Sequence, residues 1–203
     1  MVSTIDPGER AKQERRRQIL SAAKAVFAEA GYNGASIHAI IERAQIARGT
    51  FYLYFQSKAA VFDSILDQAM ADLRARLKRI EVADPGAPPV QVQLRDQVIA
   101  TLEYVVDDRP LATLLLSAGH TPDVDASERL DLFFAEVRSL LQRALETGME
   151  IGLVRRCQSE LIAAAMLGMI RGVIELLVRR TDKAQVDEVV TEMLMVALRG
   201  VLA

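Results

Sequence analysis

The 203-residue chain has no tryptophan, only one cysteine (Cys157) and only two histidines (His38 and His120). A single cysteine excludes an intrachain disulfide and is usual in the reducing cytoplasm. No H-E-x-x-H, C-x-x-C or glycine-rich phosphate loop is present. No plausible base stands near Cys157 to activate it as a nucleophile, and His120 lies in the loop-like stretch "SAGHTPD". We therefore predict that the protein is not an enzyme and uses no cofactor or metal.

Proline is also scarce, and its six positions leave two long proline-free blocks, residues 8–84 and 123–203. Only the stretch "ADPGAPP", residues 83–89, has the composition of a linker. Inside the blocks, apolar residues recur with the spacing of one buried helical stripe, as at Ile19, Ala22, Ala23, Val26 and Phe27. No run of alternating polar and apolar residues indicates a set of strands. The sequence predicts an all-α protein.

Long apolar runs are limited to "LIAAAMLGMIRGVIELLV", residues 161–178. This run barely has the length of a membrane span, and the charges of Arg171 and Glu175 would be costly in lipid, so a buried helix is favoured. The first twenty residues are polar and charged, without the apolar region of a signal peptide. We expect a cytoplasmic protein with no membrane partner.

Positive charge is concentrated at the N-terminal end of the chain. Residues 1–58 hold nine Lys and Arg against five Asp and Glu, a net charge of +4, while the whole chain carries −2. A solvated helix face would be one explanation of this excess. The other is that the N-terminal quarter binds a polyanion while the acidic remainder does not.

Four of the ten aromatic residues stand within five positions, in "FYLYF", residues 51–55. A buried strand would suit these residue types, but no partner strand is present. Read as a short helix, the stretch places Phe51 and Phe55 inward and Arg48 and Tyr52 outward. A longer helix over residues 10–30, which stops at Gly31, precedes it, followed by a short helix that the Ser36 hydroxyl caps. Two short helices joined by a turn, in a basic segment, indicate a helix-turn-helix.

The stretch "GYNGASIHAIIERAQIARGTFYLYFQSKAAVFDSIL", residues 31–66, resembles the DNA-binding signature of the TetR/AcrR family of bacterial transcriptional regulators. The resemblance implies that the following residues approach base edges: His38, Arg48, Gly49, Thr50, Tyr52 and Leu53. It implies that Ser36, Tyr54 and Lys58 hold phosphates. Gln45 and Ala47 depart from the family pattern, which often has glycine in the turn and serine as the cap of the third helix.

Each of these roles has a plainer alternative. His38 would also fit as an exposed helix residue, Tyr52 as a packing residue and Lys58 as a surface lysine. The run Arg15 to Arg17 would also fit as a solvated face near DNA that adds affinity without specificity.

The expected architecture has about nine helices in two domains. Residues 1–57 form a three-helix DNA-binding domain behind a flexible tail of about nine residues, and residues 58–203 form a larger helical domain for dimerisation and ligand binding. Asp125 and Glu128 have the spacing of a capping box at the start of the seventh helix. The last two helices, 159–180 and 182–202, are apolar along more than one stripe. Two sides of each helix must therefore be covered by other apolar surfaces.

A second copy of the chain would supply this cover, and the resemblance implies a homodimer through the last two helices. The predicted interface consists of Gly168, Gly172, Ile174, Leu194 and Ala197. The spacing of the two glycines allows close helix packing, and contact with the ninth helix of the same chain would be the alternative.

The resemblance also implies a ligand-responsive regulator that binds a palindromic operator and is released by a small, mainly apolar effector. Repression is the usual mode in the family; the alternatives are an activator of the same fold and a helical protein-interaction module. The predicted effector pocket is lined by Met70, Leu102, Tyr104, Leu115, Phe133, Phe134, Met166 and Met169. Such residues at helical spacing would equally form a plain core.

Overall fold

Within residues 6–82, 84–117, 123–179 and 186–201, which the computed structural model describes, the regular elements are nine helices. Side chains are described as far as residue 196. The helices are α1 Pro7–Gly34, α2 Ile37–Ala44, α3 Arg48–Tyr52, α4 Lys58–Arg76, α5 Val90–Asp107, α6 Arg109–Leu116, α7 Val124–Glu150, α8 Ser159–Arg179 and α9 Val186–Val201. The prediction of an all-α fold with about nine helices is confirmed. His120 lies outside the described residues, as do the predicted end of the eighth helix and both predicted ends of the ninth.

The N-terminal tail is shorter than expected. The sequence predicted about nine flexible residues, but α1 begins at Pro7, and Asp6 forms its N-terminal boundary. Proline is favourable in the first turn of a helix, because its fixed φ suits the helix and its missing N–H has no partner there. Residues 1–5 lie outside the described part of the chain.

Gly31 interrupts α1 as the sequence predicted. Its φ of +68° and ψ of 171° are not helical, and the chain makes one more short helical stretch to Gly34 before the backbone extends at Ala35. Side chains other than hydrogen are strained in this backbone region. The break therefore requires glycine and redirects the chain from α1 into α2.

Replacing Gly31 with alanine is expected to lower the free energy of unfolding by about 1–3 kcal/mol, because alanine cannot adopt this backbone conformation without strain. Gly34→Ala is the matched control. An added Cβ there would lie 3.4 Å from the Cβ of Ala30, which is an ordinary contact, and Gly34 has no left-handed φ. Urea denaturation of both variants measures the difference, and equal stabilities would contradict the role assigned to Gly31.

Side-chain caps define four further helix starts, those of α2, α4, α6 and α7. Ser36 caps α2, with its hydroxyl oxygen accepting from the Ala39 amide at 3.1 Å, as expected. Ser57 caps α4 in the same way through the Ala60 amide at 3.1 Å. The predicted capping box of Asp125 with Glu128 is wrong, because Asp123 accepts from the Ala126 amide at 2.9 Å and α7 begins two residues earlier. The two aspartates are chemically equivalent caps, so composition could not rank them.

The first three helices, α1 to α3, and the rest of the chain from residue 58 onward, here called the body, share one continuous core. α1 packs on α2, α4 and α6, and α4 also packs on α5 and α7. Two part-buried ion pairs join early helices to later ones. Lys24 of α1 pairs with Asp108 at the start of α6, across the predicted domain boundary, and Asp63 of α4 pairs with Arg129 of α7 within the body. The domain boundary after residue 57 stays a prediction, but the first helices are packed directly against the body.

Candidate DNA-binding site

The helix-turn-helix is anchored by its aromatic residues on one side. Phe51 is fully buried and Phe55 nearly so, and both belong to the core that includes Phe27 and Ile40. Their rings lie 6.1 Å apart, between centroids. The expectation that these two rings pack inward is confirmed, and the strand alternative for the aromatic stretch is excluded because Arg48–Tyr52 is helical.

The opposite face of α3 is open. Arg48, Gly49 and Tyr52 are exposed, Leu53 at the helix end is 82% exposed, and Thr50 is partly buried beside them. A Cβ added at Gly49 would meet nothing within 4 Å. The guanidinium carbon of Arg48 lies 5.9 Å from the centroid of the Tyr52 ring. A short helix with such a face can enter a major groove, where arginine donates two hydrogen bonds to guanine.

The turn between α2 and α3 contains both departures from the family pattern. Gln45 adopts the left-handed conformation, with φ 50° and ψ 47°, in which glycine is usual. Ala47 precedes α3 without a side-chain cap. The Gln18 amide of α1 donates to the Ala44 carbonyl at 2.7 Å and satisfies one carbonyl at the end of α2. The turn geometry is thus retained despite the two substitutions.

His38 lies on the exposed surface of α2, with 79% of its side chain accessible. Its Nε2 atom is 3.6 Å from a carboxylate oxygen of Glu42, one turn further along the helix. Exposure permits a base contact, and Glu42 offers the imidazole a local partner. The base-reading role of His38 therefore stays a prediction, as does the phosphate role of the exposed Ser36.

Lys58 has a structural role that the sequence did not reveal. Its ammonium donates to the carbonyl oxygens of Tyr32 at 2.7 Å and of Ala35 at 3.2 Å, and it lies 4.3 Å from the centroid of the Tyr32 ring. These contacts fix the start of α4 to the end of α1. Contacts between residues that are 23 and 26 positions apart have no local sequence signal. The phosphate roles of Lys58 and of the partly buried Tyr54 stay predictions.

The first half of α1 adds a basic surface. From Pro7 to Gln18 the residues are exposed, apart from Arg16, whose guanidinium lies 5.4 Å from the centroid of the Phe55 ring. Arg17 pairs with Glu14 at 2.6 Å on this surface, and Arg15 donates to Gln18 at 2.7 Å. These exposed positive charges lie on the helix that supports the helix-turn-helix and suit contact with a phosphate backbone.

The predicted interface residues are divided between two environments. Gly168 and Gly172 are exposed on α8, and a Cβ added at either would meet nothing within 4 Å. Ile174 and Leu194 are only 7% and 9% exposed and pack inside the chain, so we remove them from the interface. They belong to the apolar sides of α8 and α9 that face the same chain's core. The Ala197 side chain lies outside the described residues.

The predicted pocket residues are largely parts of the core. Met70, Leu102, Leu115 and Phe133 are buried, and Phe134, Met166 and Met169 are partly buried. Tyr104 differs, because its hydroxyl donates to the Asp72 carboxylate at 2.9 Å. Burial, and then this hydrogen bond, raise the pKa of the Tyr104 phenol well above its usual value. The pocket stays a prediction.

Comparisons with known proteins agree with this geometry. The family model described as "Bacterial regulatory proteins, tetR family" matches residues 19–65. The chain is 31% identical over 160 residues to the HTH-type transcriptional repressor NicS of Pseudomonas putida, covering 76% of this chain and 73% of that protein. It is 30% identical over 142 residues to the HTH-type transcriptional repressor KstR of Mycobacterium tuberculosis. That match covers 70% of this chain and spans 63% of the length of the mycobacterial repressor.

The fold is also similar to that of a solved regulator. The transcriptional regulator FadR of Bacillus subtilis, in complex with stearoyl-CoA, matches with a TM-score of 0.75 and 20% identity, over 91% of this chain and 98% of that one. At this identity the similarity concerns the fold alone.

Proposed function

Because this chain belongs to the TetR family of bacterial transcriptional regulators, we propose that it is a ligand-responsive repressor that binds operator DNA as a homodimer in the cytoplasm. One observation carries the proposal: α3 and the residues directly after it bury Phe51 and Phe55 and expose Arg48, Tyr52 and Leu53. The exposed side lies in the segment that holds the net positive charge. That arrangement suits sequence reading in a major groove.

A dimer is required for specificity. One recognition helix of five residues contacts too few base pairs to select a site in a genome, whereas two copies related by a two-fold axis read two half-sites. The operator is then an inverted repeat whose half-sites are about one helical turn of DNA, or a multiple of it, apart.

The exposed apolar side of α8 supports the dimer. Among the described helices, α8 alone has the length and hydropathy of a membrane span. Only 22% of its most apolar 18-residue segment is nevertheless buried within the chain. Leu161, Gly168, Gly172 and Leu176 recur along its exposed side at helical spacing. Exposed apolar patches of this kind mark interaction surfaces. A second copy suits this side better than lipid does, because Glu175 is also exposed there.

An effector is proposed to act through α4. This helix begins at Lys58 beside the DNA-reading unit, which consists of α1, α2 and α3, and continues to Arg76 inside the body without a break. A tilt at one end of α4 therefore moves the other end. A ligand releases DNA if it binds more tightly to the conformation in which the two α3 helices of the proposed dimer no longer fit successive major grooves. The stearoyl-CoA complex of the B. subtilis regulator shows that this fold accommodates an apolar chain, which supports a mainly apolar effector here.

Two alternatives share parts of this description. An activator of the same fold would bind DNA by the same surface and differ only in its effect on transcription. A helical interaction module without DNA binding would explain the apolar side of α8 but not the open face of α3 with its exposed Arg48. The relatives named above are transcriptional repressors, which favours repression.

Fluorescence anisotropy with DNA tests the proposal. A labelled duplex from the region upstream of the protein's own gene is compared with a scrambled duplex of the same composition and length. We expect binding to the upstream DNA to be about 10³-fold tighter or more, and the affinity to fall steeply with salt. If both duplexes bound equally across a tiled upstream region, the chain would not be a sequence-specific regulator.

A further inference from the structure

A cavity of about 240 Å³ lies at the junction between the DNA-reading unit and the body. The end of α1 contributes Phe27 and Tyr32 to its wall, α4 contributes Phe62, α6 contributes Leu114 and α7 contributes Leu130. None of the eight residues predicted to line the effector pocket belongs to this wall. The cavity is therefore a separate feature, and both halves of the molecule form it.

The cavity wall is mainly aromatic and aliphatic. The rings of Phe27, Tyr32 and Phe62 contact one another, with centroids 5.0 to 5.7 Å apart. Polar groups are few: Asn33, Thr113 and Ser117 line the cavity as well, and the Ser117 hydroxyl already donates to a backbone carbonyl. Among the described residues, the Tyr32 hydroxyl has no hydrogen-bond partner. Apolar walls with a few convergent polar groups are typical of ligand sites.

The charges around the cavity disfavour an anion. Burial raises the pKa of Tyr32, and the negative charge of the Asp123 carboxylate raises it further. Arg129 opposes this effect but is paired with Asp63. The Lys58 ammonium lies at the Tyr32 ring, where two carbonyl oxygens hold it. Lys58 and Arg129 do not belong to the described cavity wall, so a carboxylate placed inside would lie near Asp123 without a positive partner in that wall.

We propose that the junction cavity is a second ligand site, for a small, uncharged, ring-containing molecule with one hydrogen-bonding group directed at the Tyr32 hydroxyl. Size supports this class of ligand. An apolar cavity of about 150 Å³ accepts benzene, so the larger volume here suits a fused two-ring molecule. Long acyl chains and anionic ligands do not fit this site.

Tyr32 links the site to the DNA-binding surface. Its ring forms part of the cavity wall, and its carbonyl and ring both contact the Lys58 ammonium at the start of α4. A ligand that moves Tyr32 therefore moves the contact that joins α4 to α1. Occupancy of the cavity changes DNA affinity by this route, and this second part rests on the proposed DNA-binding function.

Indole is a suitable probe, because it is an uncharged two-ring molecule with one N–H donor. The chain has no tryptophan, so fluorescence excited at wavelengths beyond the tyrosine absorption reports on the probe alone in a titration without DNA. We expect saturable binding of one indole per chain. Indole-3-carboxylate, which has the same ring and a negative charge, should bind at least about tenfold more weakly, a difference of about 1.4 kcal/mol.

Two variants test whether indole binds inside the cavity. Ala126→Leu adds side-chain volume inside the cavity and should weaken indole binding at least about tenfold. Ser117→Leu fills the same cavity from α6 at a partly exposed position, so one variant remains informative if the other does not fold. Ala144→Leu makes the same change as the first at an exposed position of α7 outside the cavity wall, and it should leave binding unchanged.

Three results would overturn the site: no saturable binding of indole, equal binding by all three variants, or tighter binding of the carboxylate. These titrations contain no DNA, so their failure is distinct from failure of the proposed regulator. With specific DNA added, indole should change the DNA affinity of the unaltered protein by about fivefold or more, and this change should vanish in Ala126→Leu. Binding of indole without any change in DNA affinity would overturn the regulatory part.

Discussion

Replacing Gly168 and Gly172 together with leucine is expected to convert the proposed dimer into monomers and to lower operator affinity by about 10²–10⁴-fold. Both glycines are exposed, and added side chains would meet nothing within the chain, so the fold of each protomer should be retained. Two leucine side chains would separate the helices that pack closely through these glycines in the proposed dimer. Two linked recognition helices bind two half-sites far more tightly than a single recognition helix binds one half-site. A monomer loses this gain in affinity.

Light scattering gives the oligomeric state of this variant, and anisotropy gives its operator affinity. Ala100→Leu is the control, because Ala100 is exposed on α5 and is not one of the proposed interface residues, so a larger side chain there should leave both values unchanged. Circular dichroism verifies that each variant is folded. A leucine variant that remained dimeric and bound the operator normally would place the interface on a different surface.

Local features of the fold could be predicted from the sequence because they depend on neighbouring residues. The break at Gly31 and the Ser36 cap each arise from the conformational or hydrogen-bonding preference of one residue. The separation of Phe51 and Phe55 from Arg48 arises from helical periodicity. The α7 cap shows where this reasoning fails, because two aspartates two positions apart satisfy the same rule.

Features that depend on distant residues could not be predicted in this way. The Lys24–Asp108 pair joins residues 84 positions apart, and the Asp63–Arg129 pair joins residues 66 apart. Their charges were visible in the sequence but their partners were not. Ile174 was predicted at the interface but packs in the core of its own chain. Periodicity indicates that a helix has two apolar sides, but it does not indicate which of them faces the chain's own core. Lining residues of a cavity depend likewise on how several helices pack together.

Arg48→Ala is expected to remove discrimination at one base pair of each half-site, which costs about 1–3 kcal/mol per half-site. Arg48 is exposed at the start of α3, and its one described side-chain contact is with the Tyr52 ring. The folded protein should therefore keep its stability while it loses the two hydrogen bonds that arginine donates to guanine. Anisotropy with the operator and with a scrambled duplex should show a large loss on the first and a small loss on the second.

Arg15→Ala provides the matched comparison, because it removes the same type of side chain from an exposed position on α1. A residue that neutralises phosphate weakens binding to every sequence alike and lowers the salt dependence by about one counterion. The ratio of operator to scrambled affinity should thus fall in Arg48→Ala and stay constant in Arg15→Ala. An unchanged ratio in Arg48→Ala would mean that Arg48 contacts the DNA backbone, and base reading would then depend on the other exposed residues of α3.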